Sequence, residues 1–132
     1  MKNGILLLKA SYIIGAVLMF NLFILMLFPI SFFRMYGIGS IIITEELRIA
    51  MYFGAPFLLG WAVLMIIGFF KPFEMKYVLF ITIVPILTGL LSLHIYCILY
   101  DFGDYDNIFN RIVVQIILMG LFIFSLLMKK TE

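Results

Sequence analysis

Residues 10–33 read ASYIIGAVLMFNLFILMLFPISFF, a run of 24 positions without a charged side chain. A helix rises 1.5 Å per residue, so about 20 apolar residues cross the roughly 30 Å of hydrocarbon in a bilayer. This run therefore decides the solvent in which the chain folds. Working outward, residues 49–70 give 22 charge-free positions, 77–100 give 24 and 112–128 give 17. The last run reaches spanning length only by starting near Asn107 and carrying Arg111 in its first turns. Backbone groups in hydrocarbon must be satisfied within their own segment, which predicts helices. The alternation of a barrel strand is absent. The expected fold is all-α: a polytopic membrane protein with one domain over residues 1–132. Its four antiparallel transmembrane helices are expected at about 8–36, 45–70, 76–100 and 107–128.

Composition leads to the same class. Of the 132 residues, 66% are hydrophobic and 12% charged, against about 45–50% and 25% in a soluble domain. That excludes a soluble globular domain, a disordered chain and a nucleic-acid-binding module. The lipid bilayer is the first partner expected. The first span is read as a retained helix, because its apolar run is too long for a signal peptide and no small-x-small site follows.

Charge placement predicts orientation. Lys2, Lys9, Lys71, Lys76, Lys129 and Lys130 all fall on one side of a four-span arrangement, and Arg34, Arg48 and Arg111 on the other. Six basic residues against three follows the positive-inside rule, which puts both termini in the cytoplasm of a cell-membrane protein. Glu45, Glu46, Asp101, Asp104 and Asp106 join the arginines outside. The terminal Lys129-Lys130-Thr131-Glu132 is read as part of this bias rather than as a retrieval signal.

Cys97 is the only cysteine, which excludes an intramolecular disulfide, a CxxC centre and a cysteine-based zinc site. The nine methionines read as packing filler. No metal site and no cofactor is expected.

The connections read as turns. Gly37 is expected to end the first helix. Thr44 followed by Glu45 and Glu46 reads as a helix N-cap with acids in the first turn. The short turn Lys71-Pro-Phe-Glu-Met-Lys76 makes the second and third helices antiparallel neighbours. DFGDYDN at 101–107 has the Asp and Gly chemistry of a turn. Pro29, Pro56 and Pro85 are expected to kink their helices.

Helical phase sorts the unusual residues by face. In the second helix Ala50, Gly54, Trp61 and Gly68 lie within about 40° of one another, a small-residue packing stripe. In the third, Thr82, Pro85, Thr88, Gly89, Ser92, Tyr96 and Tyr100 share a sector of about 120°. That sector is assigned to the bundle interior. His94 projects to the opposite side, as an interfacial residue or one facing another subunit. In the fourth, Asn107, Arg111, Gln115 and Ser125 share about 80°. Arg111 would sit about 6 Å and Gln115 about 12 Å below the start of that helix. An unpaired arginine at depth costs up to roughly 2.5–3.5 kcal/mol. Glu46 or Asp101 is the expected partner of Arg111. Asn21, near the middle of the first helix, is expected to bond across to another helix. The expected ligand-binding group is thus Glu46, Tyr96, Tyr100, Asp101, Arg111 and Gln115. The expected packing group is Asn21, Ala50, Gly54 and Gly68.

The segment Glu46-Leu-Arg48-Ile-Ala-Met-Tyr-Phe-Gly54-Ala-Pro-Phe-Leu-Leu-Gly60 resembles small four-helix membrane proteins of the DoxX-like group. The span lengths and the Asp101-Phe-Gly103 turn are also similar. An arginine that the group commonly carries late in the third helix is missing, and His94 is the nearest polar residue. The resemblance implies a four-helix bundle with a poorly defined, sometimes redox-associated membrane role.

Three function classes follow. The first is an accessory or binding subunit of a membrane complex, partnered by other membrane subunits or by copies of itself. The second is a small oligomeric transporter or ligand-binding bundle with an outward-facing polar pocket. The third is a membrane enzyme acting on a lipid or quinone, for which no acid–base or nucleophilic constellation is visible.

Overall fold

A computed structural model describes residues 2–39 and 41–128. The Lys129-Lys130-Thr131-Glu132 terminus lies outside the described residues, and with it two of the lysines counted for the charge bias. The described chain is all helix and turn: α1 (Lys2–Leu27), α2 (Pro29–Met35), α3 (Glu45–Phe70), α4 (Lys76–Ile81), a π segment (Thr82–Leu87), α5 (Thr88–Leu99) and α6 (Tyr105–Leu127). Four helical stretches are long and apolar enough to cross a membrane: α1, α3, the continuous run from α4 through α5, and α6.

Local chemistry sets the breaks. The residue before a proline is pushed out of the helical region. Phe28, at φ −123° and ψ 76°, ends α1 there, and Pro29 opens α2 at a first-turn position that needs no N–H. Pro85 cannot bond the Ile81 carbonyl, and its ring crowds that oxygen. The third span accommodates it in the wider π turn of Thr82–Leu87. α3 runs through Pro56 without a break, and its N-cap is Thr44, whose Oγ1 accepts from the Leu47 N–H at 3.3 Å.

The closest pairing is α1 with α3. Tyr12 lies against Gly68, Met65 against Gly15 and Met26 against Gly54. Numbers rise along α1 as they fall by equal steps along α3, the register of an antiparallel pair. A Cβ at Gly68 would overlap the Tyr12 ring, so only glycine lets the ring in. Lipid tails are as apolar as leucine, so helices in a bilayer are held by such van der Waals fit and by interhelical hydrogen bonds of about 0.6 kcal/mol each. Two of these cross the lower bundle. The Ser11 and Ser125 hydroxyls meet at 2.6 Å, and Trp61 Nε1 donates to Thr82 Oγ1 at 2.9 Å.

The charged ends differ. Lys9 lies over the Phe69 ring, and Lys76 lies over Phe73 while donating to the Leu126 and Met128 carbonyls that end α6. A cation on the last carbonyls of a helix offsets the negative end of its dipole. The apolar core of Leu8, Tyr12, Met65, Leu79 and Phe122 fills this lysine half. The opposite half holds a polar centre.

Candidate functional site

Two turns at the end away from Lys9 and Lys76 lock together and build one wall of that centre. Gly37 and Gly103 have φ of +72° and +88°, a region that L side chains avoid. A Cβ on Gly103 would strike the Tyr36 carbonyl oxygen. That close approach lets the Asp104 N–H donate to the same oxygen at 2.9 Å. Tyr36 is thereby held over the first turns of α6.

A directed chain of hydrogen bonds runs inward from Tyr36. Gln115 Nε2 donates to the Leu87 carbonyl at the end of the π segment. A carbonyl only accepts, so the amide orientation is set and Oε1 faces His94. His94 Nδ1 lies 2.8 Å from that oxygen and must carry the proton. Nε2 of the neutral ring then accepts from the Tyr36 hydroxyl at 3.3 Å. Every member is buried: His94 is 6% exposed, Gln115 5% and Tyr36 5%. Tyr36 lies in the connection outside the spans, and burial pushes its phenol up from the ordinary value while Arg111 pulls the other way. The phenol therefore stays protonated as the donor.

Arg111 flanks this chain. Its guanidinium donates to the Met35 carbonyl at 3.1 Å and lies 5.2 Å over the Tyr36 ring, within cation–π range. Its Nε is buried without a hydrogen-bond partner. Among the described residues the ion pairs are Arg48–Glu45 at 3.3 Å and Lys71–Glu74 at 3.7 Å, and neither involves Arg111.

These groups cap a cavity of about 350 Å3 between α1, the third span and α6. Leu18, Leu22, Leu87, Leu90, Val114 and Leu118 form apolar walls, and Asn107, Asn110, Arg111, Gln115, His94 and Tyr36 form the polar end. A second hollow of about 690 Å3 lies under the 37–41 connection, with Tyr96, Cys97, Asp101 and Phe102 in its wall. Among the described residues no group of three His, Cys, Asp or Glu side chains is placed to hold a metal ion.

The expected site residues divide. Arg111 and Gln115 share the first cavity. Tyr96 and Asp101 line the second hollow, and Tyr100 packs on Tyr96 at 4.4 Å between centroids with the rings tilted by 34°, facing outward. Glu46 is exposed in the first turn of α3, a helix that packs mainly on α1 and α4 and does not bring it to α6. The expected carboxylate partner of Arg111 is thus replaced by a backbone carbonyl and an aromatic face. Of the packing group, Gly54 and Gly68 face α1, Ala50 is exposed, and Asn21 is exposed beside Ile24 and Leu118.

The face expected inside on the third span is mostly outside. Thr82 is buried, but Pro85, Thr88, Gly89, Ser92, Tyr96 and Tyr100 are exposed, and His94 is turned inward. Thr88 and Ser92 bond back to the Val84 and Thr88 carbonyls of their own helix, so they face lipid without an unsatisfied group. An imidazole has no such local outlet. His94, Tyr36 and Asn110 are the polar site residues that helical phase missed. The available signal was a lone His and a lone deep Gln, each needing a partner from another helix.

No family model, curated protein or solved structure matches the chain. The four apolar helices make it a small membrane protein.

Proposed function

We propose that this protein is a membrane-embedded binding bundle that takes a small amphipathic molecule into the cavity beside Arg111. The carrying observation is the cavity itself: about 350 Å3, apolar along its walls and polar at one end. Ligand pockets run from roughly 300 to 1,000 Å3 and combine apolar walls with a few placed polar groups. Binding is favoured over catalysis because His94, the titratable base at the polar end, has both ring nitrogens engaged. The accessory-subunit reading leaned on the small-residue stripe of α3, and Gly54 and Gly68 are taken up inside the bundle. With both termini cytoplasmic, the cavity lies toward the non-cytoplasmic side. The DoxX-like resemblance of residues 46–60 is compatible with this reading and belongs to the proposal. So does any further membrane subunit or second copy.

The test is recovery of the occupant. The full chain, purified in nanodiscs, is extracted with organic solvent and the extract examined by mass spectrometry beside Leu90→Trp, which fills the cavity from the α5 wall. A compound retained at about one per chain by the wild type and lost from L90W is expected. Identical extracts from two folded proteins would defeat the proposal.

A further inference from the structure

The polar end of the cavity allows an accounting of donors and acceptors that narrows the ligand, given the binding function proposed above. Tyr36, His94 and Gln115 are joined in one chain that ends on the Leu87 carbonyl. The Gln115 amide and both nitrogens of His94 are engaged within the chain, which leaves it only the second Gln115 N–H and spare oxygen lone pairs, and no charge, to offer a ligand. It acts as a rigid backstop. Among the described residues, Arg111 Nε is the buried side-chain polar atom without a partner, a donor on a side chain that is always charged. Its ordinary compensation would be a carboxylate, but no described carboxylate pairs with it. Asp104 and Asp106 on the adjoining turn are exposed. The amides of Asn107 and Asn110 add neutral donors at the same end.

A half-buried cation that lines an apolar cavity, with no described carboxylate paired to it, is complementary to an anionic oxygen on an apolar tail. The guanidinium fork suits the planar geometry of a carboxylate. Space limits the tail. At about 350 Å3 the cavity stands near the lower end of ligand pockets, which run from roughly 300 to 1,000 Å3. That size suits one short chain better than a whole two-chain phospholipid.

The geometry points to a short single-tailed carboxylate as the ligand class, its head on Arg111 and its tail along Leu18, Leu22, Leu90 and Leu118. The His94 chain is a positioning device in this scheme: it holds Tyr36 under the guanidinium and keeps the cation over the cavity.

Two probes with the same tail separate the head from the cavity. Decanoate and decanol are titrated onto the full chain in phosphatidylcholine nanodiscs, with thermal unfolding and isothermal calorimetry as readouts. Decanoate is expected to bind about ten- to a hundredfold more tightly than decanol, the value of a charge-assisted hydrogen bond. Arg111→Gln should erase that difference while leaving the weaker decanol binding. Because the two probes are compared on the wild type, the result stands even if R111Q fails to fold. Equal binding of the two probes would overturn the carboxylate head while leaving the binding bundle intact. No binding of either probe would overturn both. A decanoate effect abolished by phosphatidylglycerol in the same nanodiscs would assign the anion to a lipid headgroup and overturn the single-tailed ligand.

Discussion

Ser92 and His94 sit two residues apart on α5 and end in opposite environments: Ser92 is exposed and His94 buried. The difference lies in what each side chain can do alone. A serine hydroxyl reaches the carbonyl four residues back and needs nothing else. An imidazole has two nitrogens, and in hydrocarbon both must find partners on other segments. Gln115 is the amide on α6 that reaches Nδ1, and Tyr36 the hydroxyl that reaches Nε2. Gln115→Met keeps a side chain of similar length but strands His94 Nδ1 and removes the donor to the Leu87 carbonyl. It should lower unfolding free energy by about 1–2 kcal/mol, near the upper end for interhelical bonds in membranes. Chemical denaturation in detergent micelles checks this, and unchanged stability would mean the chain carries no weight.

At the scale of elements, the tightest of the three glycine contacts in the α1–α3 pair is the Tyr12 ring against the bare backbone of Gly68. Gly68→Val should cost about 1–3 kcal/mol through overpacking. It should also disturb the bond from the Tyr12 hydroxyl to the Pro72 carbonyl. Gly60→Ala in the same helix meets open space and should be neutral or stabilising by about 0.5–1 kcal/mol. Measuring the two together separates a fitted contact from a general intolerance of side chains. Proline geometry is local, so Pro29 was legible as a kink within a first helix expected over 8–36, though not as a break, and Pro56, also expected to kink, leaves α3 unbroken. Phe28 and Pro29 end one helix and begin the next. The π segment at Pro85 was legible only as a kink, since a wider turn also depends on what packs beside it.

On the scale of the whole molecule, charge divides the two ends. Lys9, Lys71 and Lys76 gather at one end, and Arg111 with the acidic 101–106 turn marks the other. The positive-inside rule turns this asymmetry into an orientation. In a Cys97→Ala background, Glu74→Cys should react with a membrane-impermeant maleimide only after cells are permeabilised. Asp106→Cys should react in intact cells. The reverse pattern would invert the orientation and put the cavity on the cytoplasmic side.

Length and charge-free spacing by themselves determined that the chain makes four spanning helices, because the bilayer imposes a minimum length and forbids unsatisfied backbone. The α3 N-cap was equally plain, since Thr44 acts on its own first turn. The α6 polar face was plain too, because one helix needs only its own periodicity to bring Arg111 and Gln115 together. Tertiary structure alone decided what meets that face. Tyr36 arrives from a connection 75 residues earlier in sequence than Arg111, through a glycine-to-backbone docking at Gly103 that no periodicity encodes. His94 turns inward because its partners stand on other segments. Hydrogen-bond demand between helices is a property of the assembled bundle, and it prevailed over the polarity of a single helix.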